Sequence, residues 1–173
     1  QIIKTCDFDD IEPMFSIISD AAFEKIRLFN FKRYKIASRT VTDNPQLMNN
    51  IINEGKETFI SLGFWNKTEL PVTGRENVKY LWCESLYPCP PWEITDLPKD
   101  FNNGPYAGFS DHAVGIETAL IGIARGAKII EKHFTLDKSN TTIRDHALSA
   151  TPEEFRQMAT LGRLVERNLN IGV

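Results

Sequence analysis

The sequence has few of the residues that mark several common classes of protein. Its three cysteines are odd in number and form neither a CxxC pair nor a zinc knuckle, so free thiols in a reducing cytosol are expected. No basic run exceeds Lys32-Arg33, and a net charge of -3 does not favour nucleic acid or a membrane surface as a partner. No apolar stretch approaches the ~20 residues that span a bilayer. We therefore expect a cytoplasmic protein that binds neither nucleic acid nor membrane.

The overall composition is that of an ordinary globular protein. Of the 173 residues, 42% are hydrophobic and 25% are charged, which is enough apolar material for a substantial core. The chain contains no low-complexity segment, and no change of composition indicates a linker. We expect a single domain over residues 1–173.

Short apolar runs alternate with helix-like segments along the chain. The runs are apolar throughout rather than alternating, which is typical of parallel strands buried on both faces. Each strand and helix together take about 25–30 residues, the size of a βα repeat, and a complete eight-stranded barrel needs about 250 residues. The predicted fold class is α/β, a partial TIM-type (β/α) barrel of about six of the eight units. The predicted strands cover residues 2–5, 34–38, 58–62, 79–83, 107–109 and 127–130, and the predicted helices cover 11–29, 45–54, 115–125 and 152–168.

Two of the three histidines follow directly on predicted strands. They end the motifs Ser110-Asp111-His112 and Glu131-Lys132-His133, and the single helix predicted at 115–125 lies between them. A strand, a crossover helix and a second strand form a parallel pair, and neighbouring strands lie about 4.8 Å apart. Both imidazoles are therefore expected at the carboxyl edge of the sheet, where active sites of parallel α/β folds lie, close enough to share one metal ion. The alternative is two core histidines bonded to backbone.

Seven stretches of this chain, taken in order, resemble the sialic-acid synthase family, which comprises N-acetylneuraminate synthases and related nonulosonate and spore-coat polysaccharide synthases. The two histidine motifs in this order are the most specific part of the resemblance. The short stretches near the start are weak when taken alone. The matching stretches are residues 34–38 (YKIAS), 55–56 (GK), 60–63 (ISLG), 83–90 (CESLYPCP), 108–112 (GFSDH), 130–137 (IEKHFTLD) and 145–149 (DHALS).

The resemblance implies a metal-dependent (β/α) barrel that condenses phosphoenolpyruvate with an N-acylated amino sugar. In the family, the C–O bond of phosphoenolpyruvate breaks, phosphate leaves and a nine-carbon 2-keto acid forms. A divalent metal, Mn²⁺ or Mg²⁺, acts as the Lewis acid on the aldehyde oxygen. The family barrel has two strands before the first one expected here. The family also has a small C-terminal antifreeze-like domain. These residues offer no counterpart to either.

The resemblance also implies a role for individual residues. His112 and His133 match the metal ligands, and Asp145 matches a carboxylate that could carry a proton. Lys35 matches a cation that meets phosphoenolpyruvate, and we count it with Asp145 as catalytic. The residues expected to bind substrate are Thr5, Lys35, Ser38, Ser61, Tyr87 and Ser110.

Each of these residues also has a plainer interpretation. Asp145 could cap a turn, Lys35 could be an ion-paired lysine, the serines could be turn residues, and Tyr87 could pack against the Pro-rich loop. At the level of the whole chain, three functions remain open. The first is the condensing enzyme. The second is a truncated, non-catalytic remnant or subunit, because missing strands leave open sheet edges that predict a homo-oligomer or completion by another chain. The third is a different metal-dependent aldolase or hydrolase.

Overall fold

The structure is a computed structural model, and it describes residues 2–140 and 142–170. The chain divides into two compact units between Lys79 and Tyr80. Each unit has its own helices and parallel strands.

The first unit contains one pair of parallel strands and four helices. Strand β1 pairs with β2 in a register that sets Lys35 opposite Phe59 and Ile36 opposite Ile60. Both strands are largely buried, as the apolar runs predicted. The elements are α1 (Ile2–Phe8), α2 (Asp20–Ile26), β1 (Arg33–Ile36), α3 (Ser38–Asp43), α4 (Pro45–Asn53) and β2 (Glu57–Ser61).

The beginning of the chain differs from the prediction. The strand expected at residues 2–5 is wrong, because this segment forms helix α1. Extended backbone occurs instead around Ser16, which bridges to Lys35 with the Ile17 amide donating to the Lys35 carbonyl at 3.0 Å. A segment of four residues is too short for hydrophobic periodicity to distinguish a helix from a strand. Pairing with β1 decides where the extended segment lies.

The helix predicted at 11–29 is correspondingly shorter. Only Asp20–Ile26 is helical, and the Ser19 hydroxyl caps it by accepting the Ala22 amide at 3.2 Å. The helix predicted at 45–54 is confirmed as α4, and the Asn44 side chain caps it by accepting the Leu47 amide at 3.0 Å. Side-chain capping therefore sets the starts of α2 and α4.

The second unit is built around three parallel strands. Strand β4 pairs with β3 on one side and with β5 on the other. The Phe109 ring is fully buried and lies 5.4 Å from the Trp82 ring. The elements are β3 (Val78–Cys83), β4 (Tyr106–Asp111), α5 (Glu117–Ala124), β5 (Ile129–Lys132) and α6 (Pro152–Asn170), with single 3₁₀ turns at Pro91–Glu93 and Arg144–Ala147.

The register of β4 against β5 places two pairs of polar residues on opposite faces of the sheet. Ser110 lies opposite Glu131, and Asp111 lies opposite Lys132. Because side chains alternate along a strand, the first pair points to one face and the second to the other. The Asp111 carboxylate accepts the hydroxyl of Thr118 in α5, so its face is the one that packs on the helix.

Helix α6, predicted at 152–168, begins at a capping box. The Thr151 hydroxyl accepts the Glu154 amide at 3.3 Å, and the Glu154 carboxylate accepts the Thr151 amide at 2.8 Å. Across residues 2–140 and 142–170, every helix is too short or too polar to cross a membrane.

Candidate functional site

The structure places His112 and His133 side by side beyond the ends of β4 and β5. Their ring centroids are 5.2 Å apart and the ring planes meet at 49°. The parallel register brings them together, because His112 follows Asp111 and His133 follows Lys132, and those two residues are paired across the strands. The two histidines are therefore neighbours, as their adjacent strands predict.

Hydrogen bonding fixes the orientation of the His112 ring. Its Nδ1 lies 2.8 Å from the Glu84 carbonyl oxygen, and the Cys83 sulfur lies 3.5 Å from the same nitrogen. A carbonyl only accepts, so Nδ1 carries the proton and Nε2 keeps its lone pair. Burial holds the pKa of His112 below its usual range, although the Glu84 carbonyl opposes this effect. The ring is therefore a neutral imidazole at neutral pH.

Tyr87 covers the nitrogen of His112 that carries the lone pair. Its hydroxyl lies 2.9 Å from Nε2 and donates to it, and its ring centroid lies 4.4 Å from that of His112. The ring of His133 meets Tyr87 edge-on at 6.1 Å, and the Arg144 guanidinium lies 4.9 Å from the Tyr87 centroid. Burial raises the pKa of Tyr87, so the phenol keeps its proton.

The Pro-rich loop that carries Tyr87 is fastened to the strand end of His112. The Cys89 amide donates to the His112 carbonyl at 3.4 Å, and the Val114 amide donates to the Cys89 carbonyl at 3.1 Å. Cys89 is fully buried, and burial raises the pKa of its thiol. Backbone pairing thus holds the tyrosine beside the imidazole.

Sequence reasoning missed a carboxylate on the same face. Glu131 accepts a hydrogen bond from the buried Ser110 hydroxyl at 2.5 Å. The two motifs already contain the signal, because aligning their histidines in parallel register sets Ser110 opposite Glu131. Ser110, which the family resemblance assigns to substrate binding, is therefore held by a carboxylate, and both residues lie two positions before a histidine.

The third histidine has a different role from the pair. His146 Nδ1 lies 2.6 Å from the Thr135 hydroxyl. Its neighbour Asp145 is half-buried, and one carboxylate oxygen, Oδ1, is buried without a hydrogen bond and lies 3.6 Å from the Arg144 Nε. A buried carboxylate oxygen with no hydrogen bond is costly for folding.

The remaining predicted residues belong to the first unit. Lys35 is 3% exposed on β1, and its Nζ donates to the Ile36 carbonyl at 3.1 Å. The Ser38 hydroxyl accepts the Gly63 amide at 3.0 Å, and Ser61 is buried as the last residue of β2. Thr5 lies on helix α1 rather than on a strand end. Lys35 thus lies one residue before the end of β1, and Ser61 is the last residue of β2.

The chemistry of the histidine pair fits a divalent metal ion. Two imidazole ligands leave open positions on such an ion, which is the arrangement that catalytic sites need. Holding Nδ1–H on a backbone carbonyl is the usual way a protein orients a metal-binding histidine. Within residues 2–140 and 142–170, His, Cys, Asp and Glu side chains form no group of three or more that could hold a metal.

Comparison with known proteins defines the class of the fold. The chain superposes on the spore coat polysaccharide biosynthesis protein spsE of Bacillus subtilis with a TM-score of 0.82, at 24% identity, over 99% of this chain and 51% of that one. A sialic acid synthetase of Leptospira borgpetersenii gives a TM-score of 0.76, at 24% identity, over 90% of this chain and 57% of that one. The fold is that of a partial TIM-type (β/α) barrel, as predicted.

The sequence comparisons then give the family. Residues 1–173 match the NeuB family model, and the chain belongs to the NeuB family. It is 30% identical to the N,N'-diacetyllegionaminic acid synthase of Campylobacter jejuni over 98% of this chain and 53% of that protein. The chain spans about half the length of the curated relatives it matches.

Proposed function

We propose that this chain supplies a catalytic site for condensing phosphoenolpyruvate with an N-acylated hexosamine aldehyde in nonulosonate or surface-polysaccharide biosynthesis. The observation that carries the proposal is the His112–His133 pair in a NeuB-family chain. The two ring centroids lie 5.2 Å apart, and the Glu84 carbonyl orients the His112 ring. The name of the Campylobacter jejuni relative, a sugar-acid synthase, supports the same class of reaction.

The proposed reaction forms one carbon–carbon bond and releases inorganic phosphate. C3 of phosphoenolpyruvate bonds to the aldehyde carbon, water adds at C2, and the C2–O bond to phosphate breaks. The products are a 2-keto acid three carbons longer than the sugar and one phosphate. A Mn²⁺ or Mg²⁺ ion held by His112 and His133 would supply a Lewis acid for the aldehyde oxygen.

Charge and hydrogen-bond donors for phosphoenolpyruvate would come from the residues that the family resemblance selects. The Lys35 ammonium would meet an anionic group of the substrate, since a buried lysine gains most from an oppositely charged partner. The hydroxyls of Ser38, Ser61 and Ser110 would add donors, and Thr5 keeps the substrate role that the resemblance gives it. These assignments stay predictions, and each predicts a rise in the KM for phosphoenolpyruvate when the side chain is shortened.

Tyr87 and Asp145 would handle the sugar and its protons. The phenol of Tyr87 keeps its proton because burial raises its pKa, so it acts as a donor beside the histidines. Asp145 has a buried oxygen without a hydrogen bond, which leaves it able to accept a proton. The condensation needs such a group, because the new alkoxide gains a proton and the added water loses one.

Calorimetric titration of the full chain tests the proposal. We expect Mn²⁺ to bind the wild-type chain and phosphoenolpyruvate to bind more tightly once Mn²⁺ is present. His112→Ala and His133→Ala should lose Mn²⁺ binding. His146→Ala is the matched control, since this imidazole bonds Thr135 and should leave Mn²⁺ binding unchanged.

The product assay separates the condensation from the other functions. Phosphate release and formation of a 2-keto acid should both require phosphoenolpyruvate and an N-acylated hexosamine. Absence of Mn²⁺ and phosphoenolpyruvate binding at millimolar concentration would refute the proposal. A product formed without phosphoenolpyruvate would instead indicate a different metal-dependent aldolase or hydrolase.

A further inference from the structure

A buried ion pair lies directly behind the two histidines, on the helix-facing side of β4 and β5. Lys132 Nζ lies 3.0 Å from Asp111 Oδ2, and both side chains are 0% exposed. The two residues are also partners in the strand register. A charge hidden this completely is rare in a protein interior unless it is paired, and removing water from both ions opposes folding.

The hydrogen bonds of this pair converge on one backbone residue. Asp111 Oδ1 accepts the Ala113 amide at 2.8 Å, and Lys132 Nζ donates to the Ala113 carbonyl. The second carboxylate oxygen also accepts the Thr118 hydroxyl at 2.9 Å. Both backbone groups of Ala113 are therefore held by the two charges, and helix α5 secures the carboxylate.

The sequence positions of these groups show what the pair restrains. Asp111 precedes His112 and Ala113 follows it, so the pair holds the backbone on both sides of this histidine. Lys132 precedes His133, so the same ammonium connects the two histidine segments. We propose that Asp111 and Lys132 are positioning residues that set the separation and orientation of the His112 and His133 rings for binding a divalent cation. This inference rests on the proposed metal site.

A purely structural role makes a different prediction. Replacing a buried ion pair by neutral side chains often leaves stability unchanged, whereas removing one partner is strongly destabilising. If the pair served only stability, metal affinity would follow the thermal unfolding temperature across variants. If it positions the rings, affinity falls even where stability is restored.

The first measurement needs no metal. In the wild-type chain, the Nδ1 proton of His112 is donated to the Glu84 carbonyl and should give a slowly exchanging imidazole resonance in the proton NMR spectrum. Lys132→Met keeps the aliphatic stem and removes the ammonium. We expect this resonance to be lost or broadened in Lys132→Met. A resonance unchanged in position and exchange rate would overturn the inference.

The second measurement is affinity for Co²⁺, whose visible absorption reports its ligand geometry. Lys132→Met and the charge-balanced double variant Asp111→Asn/Lys132→Met should bind Co²⁺ about 10- to 100-fold more weakly, with an altered spectrum. The double variant should regain most of the unfolding temperature that Lys132→Met loses. Phe109→Leu, on the same face but outside the ion pair, is the control for lost packing and should keep the wild-type affinity and spectrum.

The outcomes separate this inference from the proposed function. Equal Co²⁺ affinity in the double variant and the wild type, or an equal loss in Phe109→Leu, would overturn the positioning role. If Lys132→Met does not fold, Thr118→Val decides the matter: a smaller loss of affinity supports the role, and none overturns it. A wild-type chain that binds no metal refutes the proposed site, whereas the NMR experiment still decides whether the pair orients His112.

Discussion

The two faces of the β4–β5 pair differ in how they use polar side chains. The face with His112 and His133 presents half-buried rings, of which one nitrogen keeps a lone pair beneath the Tyr87 hydroxyl. The opposite face hides Asp111 and Lys132 completely and gives each charge several partners. Neighbouring residues along the chain point to opposite faces because side chains alternate along a strand. We therefore expect binding at the first face and rigidity at the second.

The largest loss of stability should come from a variant that pushes β4 and β5 apart and so disturbs both faces. Gly108→Ala in β4 would place a Cβ 2.0 Å from the Ile129 carbonyl oxygen, a backbone atom that cannot turn aside. We expect the free energy of unfolding to fall by more than about 3 kcal/mol in urea denaturation.

The control for this prediction is Gly162→Ala in helix α6. Its Cβ would meet only the end of the Ile123 side chain, at 2.6 Å, and a flexible side chain can move. The account of the β4–β5 contact would be contradicted if Gly108→Ala were as stable as Gly162→Ala.

The next largest effect should be a difference in stability between two neighbouring substitutions, one on each face. Asp111→Ala leaves a buried ammonium without its carboxylate and should cost about 3–5 kcal/mol of unfolding free energy. Ser110→Ala, one residue earlier, loses one hydrogen bond to Glu131 and should cost about 1 kcal/mol. Chemical denaturation of both variants checks this, and equal losses would show that the two faces contribute equally to stability.

The histidine face should tolerate substitution with little loss of stability. His133→Ala removes a half-buried ring from the strand end, so we expect a change of about 1 kcal/mol or less in unfolding free energy. Metal binding should nevertheless disappear. A large loss of stability in this variant would indicate that the histidines serve the core, which is the plainer interpretation of the sequence.

The smallest effect should arise at the capping box of α6, far along the chain from either face. Thr151→Ala should cost about 1 kcal/mol. Burial alone would raise the pKa of Glu154, but hydrogen bonds from Lys138 and Thr151 outweigh it and lower that pKa. The carboxylate therefore stabilises the fold above the usual glutamate pKa, and this contribution is lost as the pH falls from that value through the lowered pKa.

Measuring thermal unfolding of Glu154→Gln against pH checks the sign. The variant should differ from the wild type near neutral pH and approach it in acid. A difference that grows as the pH falls would contradict the assignment.

Much of the fold could be predicted because its strands are short apolar runs between clear helix signals. Strands β1 to β5 and helices α4 and α6 occur where the pattern placed them. The beginning of the chain could not be predicted in this way. The apolar pattern of residues 2–5 fits a helix and a strand equally well. Only the pairing with Lys35 shows that the extended backbone lies at Ser16.

The site, like the fold, could be predicted in part from the sequence. The order of the motifs and the adjacency of the two strands are enough to place His112 beside His133. Glu131 and the Asp111–Lys132 pair depend on the register between β4 and β5, and a shift of one residue would exchange the two faces. The Glu84 carbonyl that fixes the His112 ring depends on how a loop folds, and no side-chain pattern encodes this.

Electron spin echo spectroscopy of Mn²⁺ bound to the chain is the most direct test of the central claim. Modulation from a coordinated imidazole nitrogen counts the histidines on the ion. The account predicts two nitrogens in the wild type and in His146→Ala, and loss of that signal or of bound Mn²⁺ in His112→Ala and His133→Ala. A wild-type spectrum without imidazole nitrogen, or one unchanged in both variants, would contradict it.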